Sequence, residues 1–180
     1  METGNEEFFW RYLWGTIVLI FVSVGTNTLP FDRLVSEADN IAKETSEDIV
    51  IQRGHSKYKP VHAEFFDFCE PEKMKQYIDE AEIVISHAGF GIIGDCIVRN
   101  KRLILVPRED KYGEAVDNQC ELSEYLADDQ NDIFSVREIG KLGEAIEEIR
   151  QRQPQYNFVT KIPELVRDFI YEQFACTRAY

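Results

Sequence analysis

A run of apolar residues, Ile83-Val84-Ile85, passes through Ser86-His87-Ala88 into Gly89-Phe90-Gly91-Ile92-Ile93-Gly94 and then Asp95. Glycines lack Cβ atoms and let the backbone come close to a ligand. A helix expected from about Gly91 would offer unpaired N–H groups and partial positive charge at its start. That combination suits a diphosphate. It also meets a plainer need, a tight turn that requires glycine geometry. His87 would touch a phosphate oxygen if protonated, or would serve as a structural imidazole bonded to backbone.

Two more clusters lie at the ends of apolar runs. Val22-Ser23-Val24-Gly25-Thr26-Asn27-Thr28 has a glycine for a tight turn, and its hydroxyls could contact phosphate or cap a helix starting near Pro30. Val106-Pro107-Arg108 leads through a polar loop to Asn118-Gln119-Cys120-Glu121. Asn118 and Gln119 could read sugar hydroxyls there, although a solvated loop has the same composition. The glycine spacing also spells a dinucleotide fingerprint, with Glu109 in the place of its ribose-binding acid. That fingerprint usually opens its sheet, whereas here three candidate strands come first.

The elements that must position these clusters alternate regularly. Strands are expected at 17–24, 48–52, 63–68, 82–86 and 102–106, with a weaker one at 133–136. Helices are expected at 31–44, 72–80, 91–99, 115–126, 137–152 and 163–174. Alternation of this kind predicts βαβ units and an α/β fold, a Rossmann-like, doubly wound parallel sheet. Right-handed crossovers put every strand's C-terminal end on one edge, where such sheets bind ligands. All three clusters fall on that edge. The domain is expected over residues 16–152, preceded by an aromatic extension at 1–15 and followed by a loop and helix at 153–180.

Composition bounds the partners. Acidic residues outnumber basic ones 33 to 20, a formal charge of −13, which disfavours a nucleic-acid backbone. A nucleotide is still admissible, because backbone N–H groups can hold a few phosphates. The four cysteines, Cys69, Cys96, Cys120 and Cys176, have neither zinc-ligand nor disulfide-framework spacing and are expected to be packed, reduced thiols of a cytoplasmic protein. No metal site is expected. Arg11 interrupts the apolar stretch 8–24, and Glu2, Glu6 and Glu7 do not suit a secretory signal. The aromatic segment Phe8-Phe9-Trp10-Arg11-Tyr12-Leu13-Trp14 could rest at a membrane interface or cover an apolar seam.

Taken in order, Phe21-Val22-Ser23-Val24-Gly25-Thr26, Phe31-Asp32-Arg33-Leu34, Ile51-Gln52-Arg53-Gly54, Met74, Ile85-Ser86-His87-Ala88-Gly89-Phe90-Gly91, Val106-Pro107-Arg108 and Gln119-Cys120-Glu121-Leu122 resemble the C-terminal domain of glycosyltransferase family 28. This is the donor-binding half of GT-B enzymes, in a family that includes MurG and the small subunits of split transferases. The resemblance covers about residues 17–126. It implies that Gly89, Phe90 and Gly91 hold the diphosphate of UDP and that Asp95 stands where a glutamate grips the ribose. Gln119 would contact the donor sugar, backbone near Phe68 would lie against uracil, and Gly25 and Thr26 would line the cleft facing the acceptor. His87 would stabilise the leaving group. Asp95 is a methylene shorter than the family's glutamate, and Asn118 and Ala115 replace histidines.

The resemblance implies inverting transfer of N-acetylglucosamine or another hexose from a UDP-sugar to a lipid-linked acceptor, with no metal or other cofactor required. The length suffices for one of the two GT-B domains. A membrane-associated partner subunit is therefore expected to bind the lipid-linked glycan acceptor and to hold this chain at the cytoplasmic membrane face. The alternatives are a non-catalytic nucleotide-sugar-binding or scaffold subunit, favoured by Ala115 and Asn118, and an NAD-binding Rossmann protein.

Overall fold

The computed structural model of the protein describes residues 19–115, 119–127 and 133–156. The aromatic extension, the expected strand start at residue 17, Asn118 and the expected helix at 163–174 lie outside these residues.

Six parallel strands form one sheet: β1 (Leu19–Ser23), β2 (Asp48–Gln52), β3 (Glu64–Phe66), β4 (Ile83–Ser86), β5 (Arg102–Leu105) and β6 (Ile133–Ser135). Their spatial order is β3-β2-β1-β4-β5-β6. The chain builds outward from β1 to β3, then crosses back to lay β4 on the other side of β1. This reversal makes β1 and β4 neighbours, in register from Ile20 opposite Ile83 to Ser23 opposite Ser86. A crevice therefore opens between the loops that leave these two strands in opposite directions.

Strand residues alternate between two cores, as the pleat requires. Ile20 and Val22 of β1 face one side with Ile49, Ile51, Ile83, Ile85 and Ile104. That side is covered by α1 (Asp32–Glu44) through Leu34, Val35, Ala38 and Ile41, and by α5 (Leu142–Arg150) through Leu142, Ile146 and Ile149. Leu19 and Phe21 face the other side with Val50, Val84, Leu103 and Leu105. There α2 (Pro71–Glu80), α3 (Phe90–Val98) and α4 (Cys120–Leu126) contribute Ile78, Ile93, Cys96 and Leu126. Both faces being dry explains why the strands read as continuous apolar runs.

The helices begin later than expected in two places. The segment expected as helix from residue 115 is helical from Cys120, and Gln119 is its N-terminal cap. The segment from 137 first makes a short 3-10 turn, Ile139–Lys141, before α5. The helix at the glycines starts at Phe90, with Gly89 as its cap.

Candidate functional site

The floor of the crevice is a knot of polar atoms tied by Gln52, the last residue of β2. Its side-chain oxygen accepts from Ser23 Oγ at 2.9 Å and from the Gly25 N–H at 3.0 Å. Its amide nitrogen donates to the carbonyls of Gly25 and Asp67, each at 3.0 Å. One buried amide thus fixes the loop after β1 to the loop after β3, with all four bonding positions used. Gly25 sits at φ +77°, the left-handed region that favours glycine.

Gly25 has a second reason to lack a side chain. A β-carbon there would lie 2.3 Å from His87 Cε1, and one on Gly89 would lie 2.4 Å from His87 Nε2. The imidazole is therefore wedged between the loop after β1 and the start of α3, at the β1–β4 switch. The left-handed residue of this turn is Ala88, at φ 57°, whereas Gly89 has ordinary extended dihedrals. Glycine at 89 thus makes room for His87. Gly91 differs again: nothing lies within 4 Å of where its β-carbon would be, so its backbone is open to an approaching ligand. Phe90 beside it is 77% exposed.

His87 lies beside Ser86 Oγ, 3.2 Å from Nδ1, and that hydroxyl donates to the Ser23 carbonyl at 3.2 Å. Burial, and then the nearby Arg108 guanidinium, push the ring down to about 4 despite a hydrogen bond to the Ser23 carbonyl. The ring is neutral at pH 7. His87 thus stands at the C-terminal end of β4, packed against the loop after β1.

Arg108 closes the side towards β5. Fully buried, it donates to the carbonyls of Leu29 (3.0 Å), Pro30 (3.3 Å), Glu114 (2.8 Å) and Val24 (2.9 Å), and lies 4.6 Å from the centre of the Phe31 ring. It joins the loop after β1 to the loop after β5. Glu114 accepts a two-pronged bond from Arg33 at 3.0 and 2.9 Å, which anchors the same loop to α1. A bidentate pair of this kind fixes position as well as charge.

The remaining expected residues lie on the same edge in distinct states. Thr26 is exposed, and α1 has no side-chain cap, so capping by these hydroxyls is not seen. Gln119 Oε1 is buried without a hydrogen-bond partner among the described residues. Leaving such an acceptor dry and unpaired costs about 1–3 kcal/mol, which a hydroxyl donor would relieve. Glu109, at the place of the dinucleotide acid, has Oε2 held by Lys111 at 2.8 Å and Arg137 at 3.3 Å. Phe68 is half-exposed and meets the His55 ring edge-on at 5.0 Å, beyond β3 and two strands from the switch. Asp95, one turn into α3, gives Oδ1 to Arg99 at 2.7 Å, and Arg99 also holds Asp79 at 2.9 Å.

The sequence alone did not expose Gln52 as an organiser, nor Asp39. Asp39 is buried on α1 and accepts from the N–H groups of Val61, His62 and Ala63 and from Tyr58 Oη, at 2.7 to 3.0 Å. A polar residue ending an apolar strand, and an acid on the apolar face of a helix, were the available signals. Among the described residues no group of three His, Cys, Asp or Glu side chains converges as a metal site. No described helix is long and apolar enough to cross a membrane. A separate cleft of about 660 Å³ runs along β6 between Glu124 of α4 and Glu148 of α5, away from the switch.

The profile of the glycosyltransferase family 28 C-terminal domain matches residues 19–168. No curated protein matches the sequence. Among solved structures, the glycotransferase of kitacinnamycin is similar at TM-score 0.58 and 16% identity, over 75% of this chain and 35% of that one. Os79 from O. sativa, solved with UDP, is similar at TM-score 0.57 and 15% identity, over 79% and 34%. MurG of Acinetobacter baumannii is similar at TM-score 0.50 and 16% identity, over 74% and 42%. At these identities the likeness is one of fold, and the chain spans well under half the length of each.

Proposed function

We propose that this chain, which belongs to the glycosyltransferase family 28 C-terminal domains, is the donor-binding half of a sugar transferase that uses a UDP-sugar. The observation that carries the reading is the crevice at the β1–β4 switch, walled by Gly25, His87 and Gly89 and open above the backbone of Gly91. The diphosphate lies on the first N–H groups of α3, where unpaired donors and the helix dipole favour negative charge. Gln119, whose buried oxygen has no hydrogen-bond partner among the described residues, accepts from a hydroxyl of the transferred sugar. Phe68 lies by the uracil, and Gly25 and Thr26 face the acceptor.

In this reading the chain's contribution to chemistry is electrostatic. As the bond from C1 of the sugar to the diphosphate breaks, charge collects on the leaving oxygen, and the N–H groups of α3 and His87 meet it. The acceptor hydroxyl needs a general base, which a second domain supplies. A membrane-associated partner carrying the lipid-linked acceptor completes the site, and transfer inverts the anomeric centre. The chain then works at the cytoplasmic membrane face through that partner.

Titration calorimetry of the full chain against UDP, GDP and NAD tests the nucleotide. UDP should bind best, and Gly91→Val should weaken it at least about tenfold, by covering an open backbone worth about 1.4 kcal/mol or more. Because no neighbour lies near that position, the fold should survive. Normal UDP affinity in Gly91→Val, or a preference for NAD, would sink the assignment. A nucleotide-sugar-binding scaffold without turnover is the second reading, favoured by the engagement of Asp95 with Arg99 instead of a free carboxylate. Reconstitution with the partner and measurement of UDP release separates the two.

A further inference from the structure

We infer that His55 and Phe68 together form the platform on which the nucleotide base stacks, so that one ligand lies across the strand ends with its diphosphate on α3 and its base on these two rings. This rests on the UDP reading above and adds to it His55, from the loop after β2.

Three loops converge at the platform, those that follow β1, β2 and β3. His55 Nδ1 donates to the carbonyl of Asn27, in the loop after β1, at 3.1 Å. Asn27 is itself held, since its Oδ1 accepts from the Leu29 N–H at 2.9 Å. On its other side the His55 ring meets the ring of Phe68, in the loop after β3, with centroids 5.0 Å apart and planes inclined at 62°. Beneath the pair, the Gly54 N–H donates to the Asp67 carbonyl at 3.2 Å, and Gln52 ties that same carbonyl to Gly25. Backbone bonds thus fix the rings while their outer surfaces stay open: His55 is exposed and Phe68 is 49% exposed.

Two rings inclined in this way make a corner. A flat base laid on one ring turns its edge to the other, and aromatic groups favour both offset stacking and edge-on contact. A platform already fixed in the free chain also loses little freedom when the base arrives. Its place along the edge suits the same ligand. Neighbouring strands lie about 4.8 Å apart, so along the order β3-β2-β1-β4 the loop after β2 stands about 10 Å from the start of α3 and the loop after β3 about 14 Å. An extended nucleoside diphosphate covers that span, with its base at one end and its second phosphate at the other.

The test uses the full chain with UDP, by calorimetry and by nuclear magnetic resonance. His55→Ala should weaken UDP about fivefold or more, the effect of removing one stacked aromatic partner. His55→Phe should recover most of that loss, because stacking needs a ring and no particular nitrogen. In the wild-type complex, nuclear Overhauser contacts should join uracil H5 and H6 to the ring protons of both His55 and Phe68, which a merely structural histidine would not show. Wild-type affinity in His55→Ala, an equal loss in His55→Phe, or the absence of uracil contacts to His55 overturns the inference. If Gly91→Val weakens UDP while His55→Ala does not, the platform falls and the diphosphate site stands. No UDP binding by the wild-type chain removes both. If a variant does not fold, the wild-type contacts decide alone.

Discussion

Gly89 offers a clean perturbation because its backbone is ordinary, at φ −86° and ψ 134°. Alanine there would place a β-carbon 2.4 Å from His87 Nε2 and 2.8 Å from Cε1. Normal non-bonded contact begins near ~3.5 Å, so the ring would have to move by about 1 Å. It cannot do so freely, since Gly25 backs its other side and Ser86 Oγ lies 3.2 Å from Nδ1. Overpacking of this kind costs about 1–3 kcal/mol. Two smaller effects accompany it: alanine is a poorer N-cap than glycine, and it lowers the entropy of the unfolded chain. A double-mutant cycle with His87→Ala removes both, because they are common to the two backgrounds. Urea denaturation of wild type, Gly89→Ala, His87→Ala and the double variant should give a coupling of about 1–3 kcal/mol, with the alanine tolerated once the ring is gone. Gly25→Ala should be rescued only in part, because its left-handed backbone costs a further ~1–2 kcal/mol without any ring. A coupling below about 0.5 kcal/mol for Gly89→Ala would show that the glycine is not there to admit His87.

Gln52→Leu removes four hydrogen bonds at the crevice floor and leaves buried partners unpaired, so it should destabilise by about 2–4 kcal/mol and weaken UDP binding. Chemical denaturation and calorimetry on the same variant check both effects, and an unaltered UDP affinity would separate the knot from the site. Asp39 titrates below the ordinary carboxylate range: burial raises it, but the bonds from Ala63, Val61, His62 and Tyr58 outweigh that. The stability this gives is present above about pH 4 and is lost as pH falls through the lowered value. In Asp39→Asn that acid-dependent loss should shrink, as read from melting temperatures at a series of pH values.

Much of the layer structure was legible because it depends on local pattern. The runs that became β1, β2, β4 and β5 have unbroken apolar stretches between polar ends, which a sheet covered on both faces accommodates. The edge strand β3 was overestimated, at 63–68 against Glu64–Phe66, since its ladder has one neighbour and its apolar residues continue past the last pairing. The helix expected from residue 115 begins at Cys120, and the described residues before it make other bonds. Glu114 is claimed by Arg33, and the Gln119 N–H goes back to the Arg108 carbonyl.

The sequence by itself determined the alternation of strand and helix, and with it the edge on which every candidate cluster had to lie. Parallel connections leave no other place for those loops. It also determined that glycines would flank His87. The tertiary structure alone decided why. Gly89 and Gly91 are neighbours in the chain, yet one is filled by the imidazole and the other is open, because the strand order brings the β1 loop beside α3. The partners of Gln52, Arg108 and Asp39 were likewise decided in three dimensions. Each binds backbone far away in sequence, and carbonyls and N–H groups are the same in every residue, so no side-chain pattern announces them.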